Sequence, residues 1–186
     1  MTSHCVVCFD EEGVAYTGGH NGLVYKFEER KCTGTWKAAN FGFVSAIRAV
    51  DGKLFAGGKC GTVTTFSIPD MTVETTCKFD SMIRAIDCMN GNMLIGTRNG
   101  SIYHCAGGNQ KEIMSSHHDG EVWGLDTCGD KVVTSGDDNQ VIVWDSSKRC
   151  KSSCVIVSNE KRQSKAGRAS TLSHMAASQC SRAVVY

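Results

Sequence analysis

Hydrophobic and polar positions alternate with a period of two over runs such as VSAIRAV (44–50), MIRAIDCM (82–89) and GEVWGLDTC (120–128). That period places successive side chains on opposite faces of an extended strand. A turn signal follows each run, Asp51-Gly52, Asn90-Gly91 or Gly129-Asp130, built from residues that tolerate positive φ. A short apolar strand comes next (KLFAGG, NMLIGT, KVVTSG), then a second tight turn and a third strand (GTVTTFSI, GSIYHCAG, QVIVWDSS). More polar stretches such as MTVETTCKF (71–79) supply a fourth, outer strand. No segment carries a helical period.

This order of elements repeats. Slid back in steps of 39 residues, the segment from Val122 meets similar segments from Ile83, Val44 and Cys5 without a gap. Trp144 falls on Cys105, Phe66 and Phe27; Asn139 falls on Gly100, Gly61 and Gly22; Gly136 falls on Thr97, Gly58 and Gly19. Four short antiparallel strands per unit make one blade of a β-propeller. The predicted fold is all-β: four consecutive four-stranded blades of 39 residues over 1–157, with units starting at 5, 44, 83 and 122. Most rings of such units need about seven blades, so the four are expected to belong to a larger ring, although closure with about four also occurs. Beyond Val157 the pattern breaks into a polar, basic insert (158–180), and SRAVVY (181–186) resembles the opening strand of a further blade.

Composition narrows the chemistry. The chain has 186 residues, 41% hydrophobic and 21% charged, the profile of an ordinary globular protein. A net charge of +1 argues against a generic nucleic-acid or membrane-surface binder. No apolar run is long enough for a spanning helix, and MTSHCVVCFD is no signal peptide. The 20 Gly against 1 Pro become turn and close-packing residues on a fixed phase. The 11 Cys are irregularly spaced, and Cys5-x-x-Cys8 has no second pair at zinc-ribbon spacing. They are expected to be small buried strand residues in a reducing, cytoplasmic compartment, with no metal and no cofactor.

The fourth unit, SHHDGEVWGL followed by KVVTSGDDNQVIVWD, resembles the WD-repeat family, with Ser-His-His in place of the opening Gly-His. The resemblance implies a structural hydrogen-bonded set of His118, Asp138, Thr134 (or Ser135) and Trp144. The other units depart from it: Trp144 becomes Phe27, Phe66 and Cys105, the His118 position becomes Asn40 and Phe79, and the Asp138 position becomes Asn21, Cys60 and Asn99. Those blades must then rely on packing. A Ser/His/Asp catalytic triad is not supported, because a strand hydroxyl inside a sheet has no nucleophile elbow to expose it. SHHDGEVWGLD (116–126), TSGDDNQVIVWD (134–145) and the basic, Ser-rich insert leading into QCSRAVVY resemble the echinoderm microtubule-associated protein-like family. That resemblance implies a cytoskeletal protein whose propellers bind tubulin.

Local charge bears on this. From Lys148 to Arg182 eight basic residues stand against Glu160 alone, about +7 in an otherwise slightly acidic chain. Tubulin surfaces are acidic, so Lys161, Arg162, Lys165 and Arg168 are candidate partner contacts, with Trp123 and Arg98 on the blades. The second turns (His20-Asn21, Lys59-Cys60, Arg98-Asn99, Asp137-Asp138) and the segments before each first strand (Asn40–Phe43, Asp80–Met82, His117–Glu121) are candidate loops. Arg48 and Arg84 sit at unmatched strand positions. The histidines show no metal-ligand spacing, and the paired carboxylates lie in turns, so no catalytic residue is assigned. The expected function is a non-enzymatic propeller that binds proteins, tubulin above all, in the cytoplasm and cytoskeleton, without nucleic acid, membrane or small-molecule substrate. The alternative is a WD-repeat adaptor for other proteins, without microtubule binding.

Overall fold

The computed structural model describes residues 3–106, 109–114, 119–145 and 150–156. The insert 158–180, the segment 181–186 and His118 lie outside the described residues. The described chain is all strand and turn, in four antiparallel sheets of four, each with its strands in chain order. The first sheet holds β1 (His4–Phe9), β2 (Ala15–Gly19), β3 (Leu23–Glu28) and β4 (Lys31–Lys37). The second holds β5 (Val44–Val50), β6 (Lys53–Gly58), β7 (Thr62–Ser67) and β8 (Thr72–Lys78). The third holds β9 (Ile83–Met89), β10 (Asn92–Thr97), β11 (Ile102–Ala106) and β12 (Asn109–Met114). The fourth holds β13 (Val122–Cys128), β14 (Lys131–Gly136), β15 (Gln140–Asp145) and β16 (Cys150–Ile156). The expected architecture of four-stranded blades is therefore the one the chain adopts. By packing it divides into two compact units, Met1–Ile86 and Asp87–Tyr186.

The turns explain the phase of the glycines. Asp51 and Gly52 have φ of 51° and 68°, and Asn90 and Gly91 have 52° and 73°. Two left-handed residues in a row give the hairpin turn whose twist matches the strands it joins. At the end of each second turn the same left-handed conformation recurs at one phase, with φ of 78° at Gly22, 72° at Gly61, 81° at Gly100 and 61° at Asn139. At Gly61 a side chain would also collide: an added Cβ would lie 2.5 Å from the Phe79 carbonyl oxygen and 2.8 Å from that of Ser81. The chain leaving the blade runs directly over the turn. Asparagine, which visits the left-handed region more readily than most residues, takes this phase in the fourth blade.

In unit one a second glycine phase sets how closely blades approach. An added Cβ on Gly18 of β2 would sit 2.6 Å from Val44 of β5, and one on Gly57 of β6 would sit 2.5 Å from Ile83 of β9. Both collisions join a second strand to a first strand 26 residues further on. Ser45 adds a polar tie, its hydroxyl donating to the Ile83 carbonyl at 2.5 Å. Around these contacts Tyr16, Val24, Leu54 and Phe66 are buried almost completely. Phe66, at the phase of Trp144, packs into this core, worth about 1.5–3 kcal/mol for such a side chain. The outer strand β8 is exposed at every residue but Cys77, as its polar sequence requires.

In unit two, Val133 and Val141 pack with Val143, and Thr127 donates its hydroxyl to the Cys88 carbonyl at 2.8 Å. The cysteines follow the expectation only in part. Cys60, Cys77 and Cys105 are buried and Cys8, Cys88 and Cys128 half-buried, but Cys5, Cys32 and Cys154 are exposed. The exposed three lie on β1, β4 and β16, strands at the edges of their sheets.

Gly57→Ala is expected to lower stability by about 1–3 kcal/mol through overpacking against Ile83, whereas Asn139→Gly should stay within about 1 kcal/mol of the parent. Equilibrium urea unfolding checks both; equal effects would contradict the glycine phases described.

Candidate functional site

The residues implied by the WD-type resemblance are placed in blade four as follows. Thr134 and Ser135 on β14 are wholly buried. Trp144 on β15 is half-buried and lies opposite Val132. In the turn between these strands, Asp138 accepts the Gln140 N–H at 3.0 Å on one carboxylate oxygen and the Asp119 N–H at 3.3 Å on the other. The first of these is a local side-chain turn, and it recurs at the same phase. Asn21 accepts from Leu23 N–H at 3.3 Å, and Asn99 from Ser101 N–H at 3.4 Å. Cys60 occupies the phase in blade two and does the same work with sulfur. Burial pushes its thiol up, but hydrogen bonds from the Thr62 hydroxyl and N–H and from the Asn40 backbone, with the charge of Lys78, hold it below its ordinary value.

One residue earlier, Asp137, which the sequence marked as a turn and a candidate loop, gathers a larger cluster. Its carboxylate accepts the Trp123 indole N–H at 2.8 Å and the Glu121 N–H at 3.4 Å. Its own N–H donates to the Glu121 carbonyl at 3.1 Å. Gly120, at φ 110°, lies against the Asp137 side chain, where an added Cβ would come within 2.8 Å. Arg98 then reaches Glu121, Nε to Oε1 2.8 Å. The structure thus brings two of the nominated contacts, Arg98 and Trp123, into one network through Glu121 and Asp137. The available signal was a sign reversal, since Asp137 falls on His20, Lys59 and Arg98 when the units are aligned.

In unit one the second turns and the link 38–43 share one end of the sheets. The link is firmly held. Ala38 and Ala39 N–H both donate to the Gly22 carbonyl, at 3.0 and 3.1 Å, and Lys59 N–H donates to the Phe43 carbonyl at 3.0 Å. Thr64 donates its hydroxyl to the Ala38 carbonyl at 2.9 Å. The Lys59 stem lies over Gly42, and the His20 ring stands 5.1 Å from the Phe43 ring. Arg48 and Arg84 are half-buried on β5 and β9, so the loops, and not these arginines, form the accessible rim. Lys161, Arg162, Lys165 and Arg168 lie outside the described residues. Among the described residues no three His, Cys, Asp or Glu side chains converge as metal ligands, and no helix is long and apolar enough to cross a membrane.

Four-stranded antiparallel blades joined at this spacing are those of WD-repeat β-propellers, and solved structures agree. A chain of the mitotic checkpoint complex superposes with a TM-score of 0.74 at 15% identity, over 83% of this chain and 51% of that one. The RRP9 WD40 repeats give 0.71 at 16% identity over 81% and 48%, and the WD40 β-propeller domain of Doa1 gives 0.71 at 15% over 81% and 52%. In sequence, the chain is 42% identical over 185 residues to the ciliary WD repeat-containing protein ctxp80 of Euplotoides octocarinatus. The match takes in 98% of this chain and 26% of that protein, so the chain spans about a quarter of that relative's length. No protein-family model matches the chain.

Removing the carboxylate that joins the network should be costly. Asp137→Ala is expected to lose about 1–3 kcal/mol by leaving the indole and backbone donors unpaired. Asp138→Asn, which reproduces Asn21 and Asn99, should cost under about 1 kcal/mol; urea unfolding followed by tryptophan fluorescence separates the two. A second test uses the thiols. Burial, opposed by the charge of Arg48, raises Cys8 to about 12. Below that pH it stays a neutral thiol, so iodoacetamide at mildly alkaline pH should label exposed Cys5 and Cys32 well before Cys8. Mass spectrometry reads the order, and early labelling of Cys8 would contradict its burial.

Proposed function

We propose that the chain is a non-enzymatic protein-interaction module of a cytoskeletal protein, with microtubules as its preferred partner. The observation that carries this reading is the set of blades itself, a rigid sheet scaffold presenting short polar and aromatic loops at the strand ends, the arrangement used for binding rather than for assembling a reaction centre. The 42% identity to a ciliary WD-repeat protein supports a cytoskeletal setting, because cilia are built on microtubules. The resemblance of residues 110–186 to the echinoderm microtubule-associated protein-like family points the same way, and the basic run from Lys148 to Arg182 supplies charge complementary to acidic tubulin. The structural set Asp138, Thr134 and Trp144, with His118, shapes blade four in this reading. Lys161, Arg162, Lys165, Arg168, Trp123 and Arg98 make contacts.

Cosedimentation with stabilised microtubules tests the proposal. Binding should weaken as ionic strength rises towards about 0.15 M, where the screening length is about 8 Å. Neutralising Lys161, Arg162, Lys165 and Arg168 together should weaken it several-fold. Unchanged binding by that variant at low and moderate salt would sink the role of the basic run. No cosedimentation of the folded parent would replace the reading with that of an adaptor for other proteins.

A further inference from the structure

The end of unit one that carries the turns 20–22 and 59–61 and the link 38–43 holds a large aromatic side chain with no structural duty. Phe41 is 64% exposed. Aligned by the 39-residue period, its place is taken by Asp80 and Asp119, so the fold does not require an apolar residue there. Yet the segment that bears it is fixed on both sides, by the bonds to Gly22 and Phe43 and by the Lys59 stem over Gly42. An exposed aromatic on a rigid segment loses little freedom when a partner covers it, which is the property of an interface anchor.

The charges around it are mostly positive: Lys37, Lys59 and Lys78 against Asp80. Arg98 and Glu121 form an ion pair in unit two. One period earlier the same two places are Lys59 and Met82, so the acid is missing while the cation remains. Among the described residues neither Lys59 nor Lys37 takes part in an ion pair. Lys78 lies at this end too, its ammonium donating to the Cys60 carbonyl, and Asp80 is the acid there. A shallow recess of about 170 Å³ runs between Lys37, Asn40, Val73 and Thr76. Val73 is 58% exposed, so the recess has an apolar wall, and Lys37 lines it as well. The other end of these sheets has the opposite character, with Asp10, Glu11, Glu12 and Asp51 around a second recess.

The geometry points to a docking surface at Phe41, Lys37 and Lys59 for an acidic peptide segment of another protein, one that carries an apolar side chain among its carboxylates. It rests on the reading of the blades as a protein-interaction module. Carboxylates would meet Lys37 and Lys59, and the apolar side chain would cover Phe41. A nucleic acid fits less well, because a strand needs a track of cations and successive stacking rings, and here one exposed ring stands between two cations.

The test uses the full chain and a fluorescent peptide of glutamates interrupted by one leucine, followed by anisotropy, with the glutamine version as control. Phe41→Asp, which copies Asp80 and Asp119, and Lys59→Glu should each weaken binding about tenfold at unchanged melting temperature. Saturating peptide should slow hydrogen exchange within 38–43 and 59–61 of the unaltered chain, a readout that stands even where a variant fails to fold. Equal affinities for parent and variants, protection confined to other segments, or displacement of the peptide by single-stranded RNA of matched charge would overturn the proposal. Peptide binding with these features but without microtubule cosedimentation overturns the microtubule reading and leaves this surface in place. Cosedimentation without peptide binding does the reverse.

Discussion

In unit one, a blade can approach the next only as closely as its second strand permits. Gly18 and Gly57 set that limit, for the first-strand residues Val44 and Ile83 occupy the space where their side chains would stand. Any Cβ at this phase pushes the neighbouring first strand away and opens a gap in a core built on Tyr16, Leu54 and Phe66. Lost contact across such a gap is lost outright, because a void too narrow for water has nothing to refill it. The polar tie from Ser45 to the Ile83 carbonyl works only at that separation. In unit one, blade spacing, core packing and the hydrogen bond thus rest on the methyls missing at Gly18 and Gly57.

The same closeness governs the loops. Gly61 must be glycine both for its left-handed backbone and because the chain leaving the blade passes over it. The matching passage of the link 38–43 over Gly22 is what makes that link rigid. The rim is therefore a by-product of how the blades are wound. Within it the sequence is free to vary: Phe41, Asp80 and Asp119 occupy one phase, and His20, Lys59, Arg98 and Asp137 another. Variation on a fixed frame is how a repeat fold acquires a partner without altering its core.

The polar devices of the blades are more interchangeable than a single motif suggests. The acceptor in the second turn is an aspartate in one blade, an asparagine in two and a thiol in another, each taking the N–H two residues on or, at Cys60, a Thr62 pair of donors. What the turn needs is an acceptor of short reach, not a particular residue. Blade two correspondingly holds Phe66 in its core where blade four has Trp144. A sequence that departs from the WD-type pattern in three units of four still builds the same sheets, because the period and the turn chemistry carry the fold.

The sequence by itself determined the all-β class, the 39-residue phase and the left-handed turns, since alternation and Asp-Gly or Asn-Gly pairs are local signals that act within a few residues. It also marked Arg98, Trp123 and the loop Asn40–Phe43. Only the tertiary structure decided which of these meet. That Asp137, not Asp138, joins Trp123 to Glu121 and Arg98 depends on side chains converging from three segments up to 39 residues apart. That Phe41 is open while Phe43 lies against the His20 ring, or that Cys5 is exposed and Cys77 buried, depends on which face another strand covers. Such choices are made by long-range packing, and a period read along the chain carries no record of them.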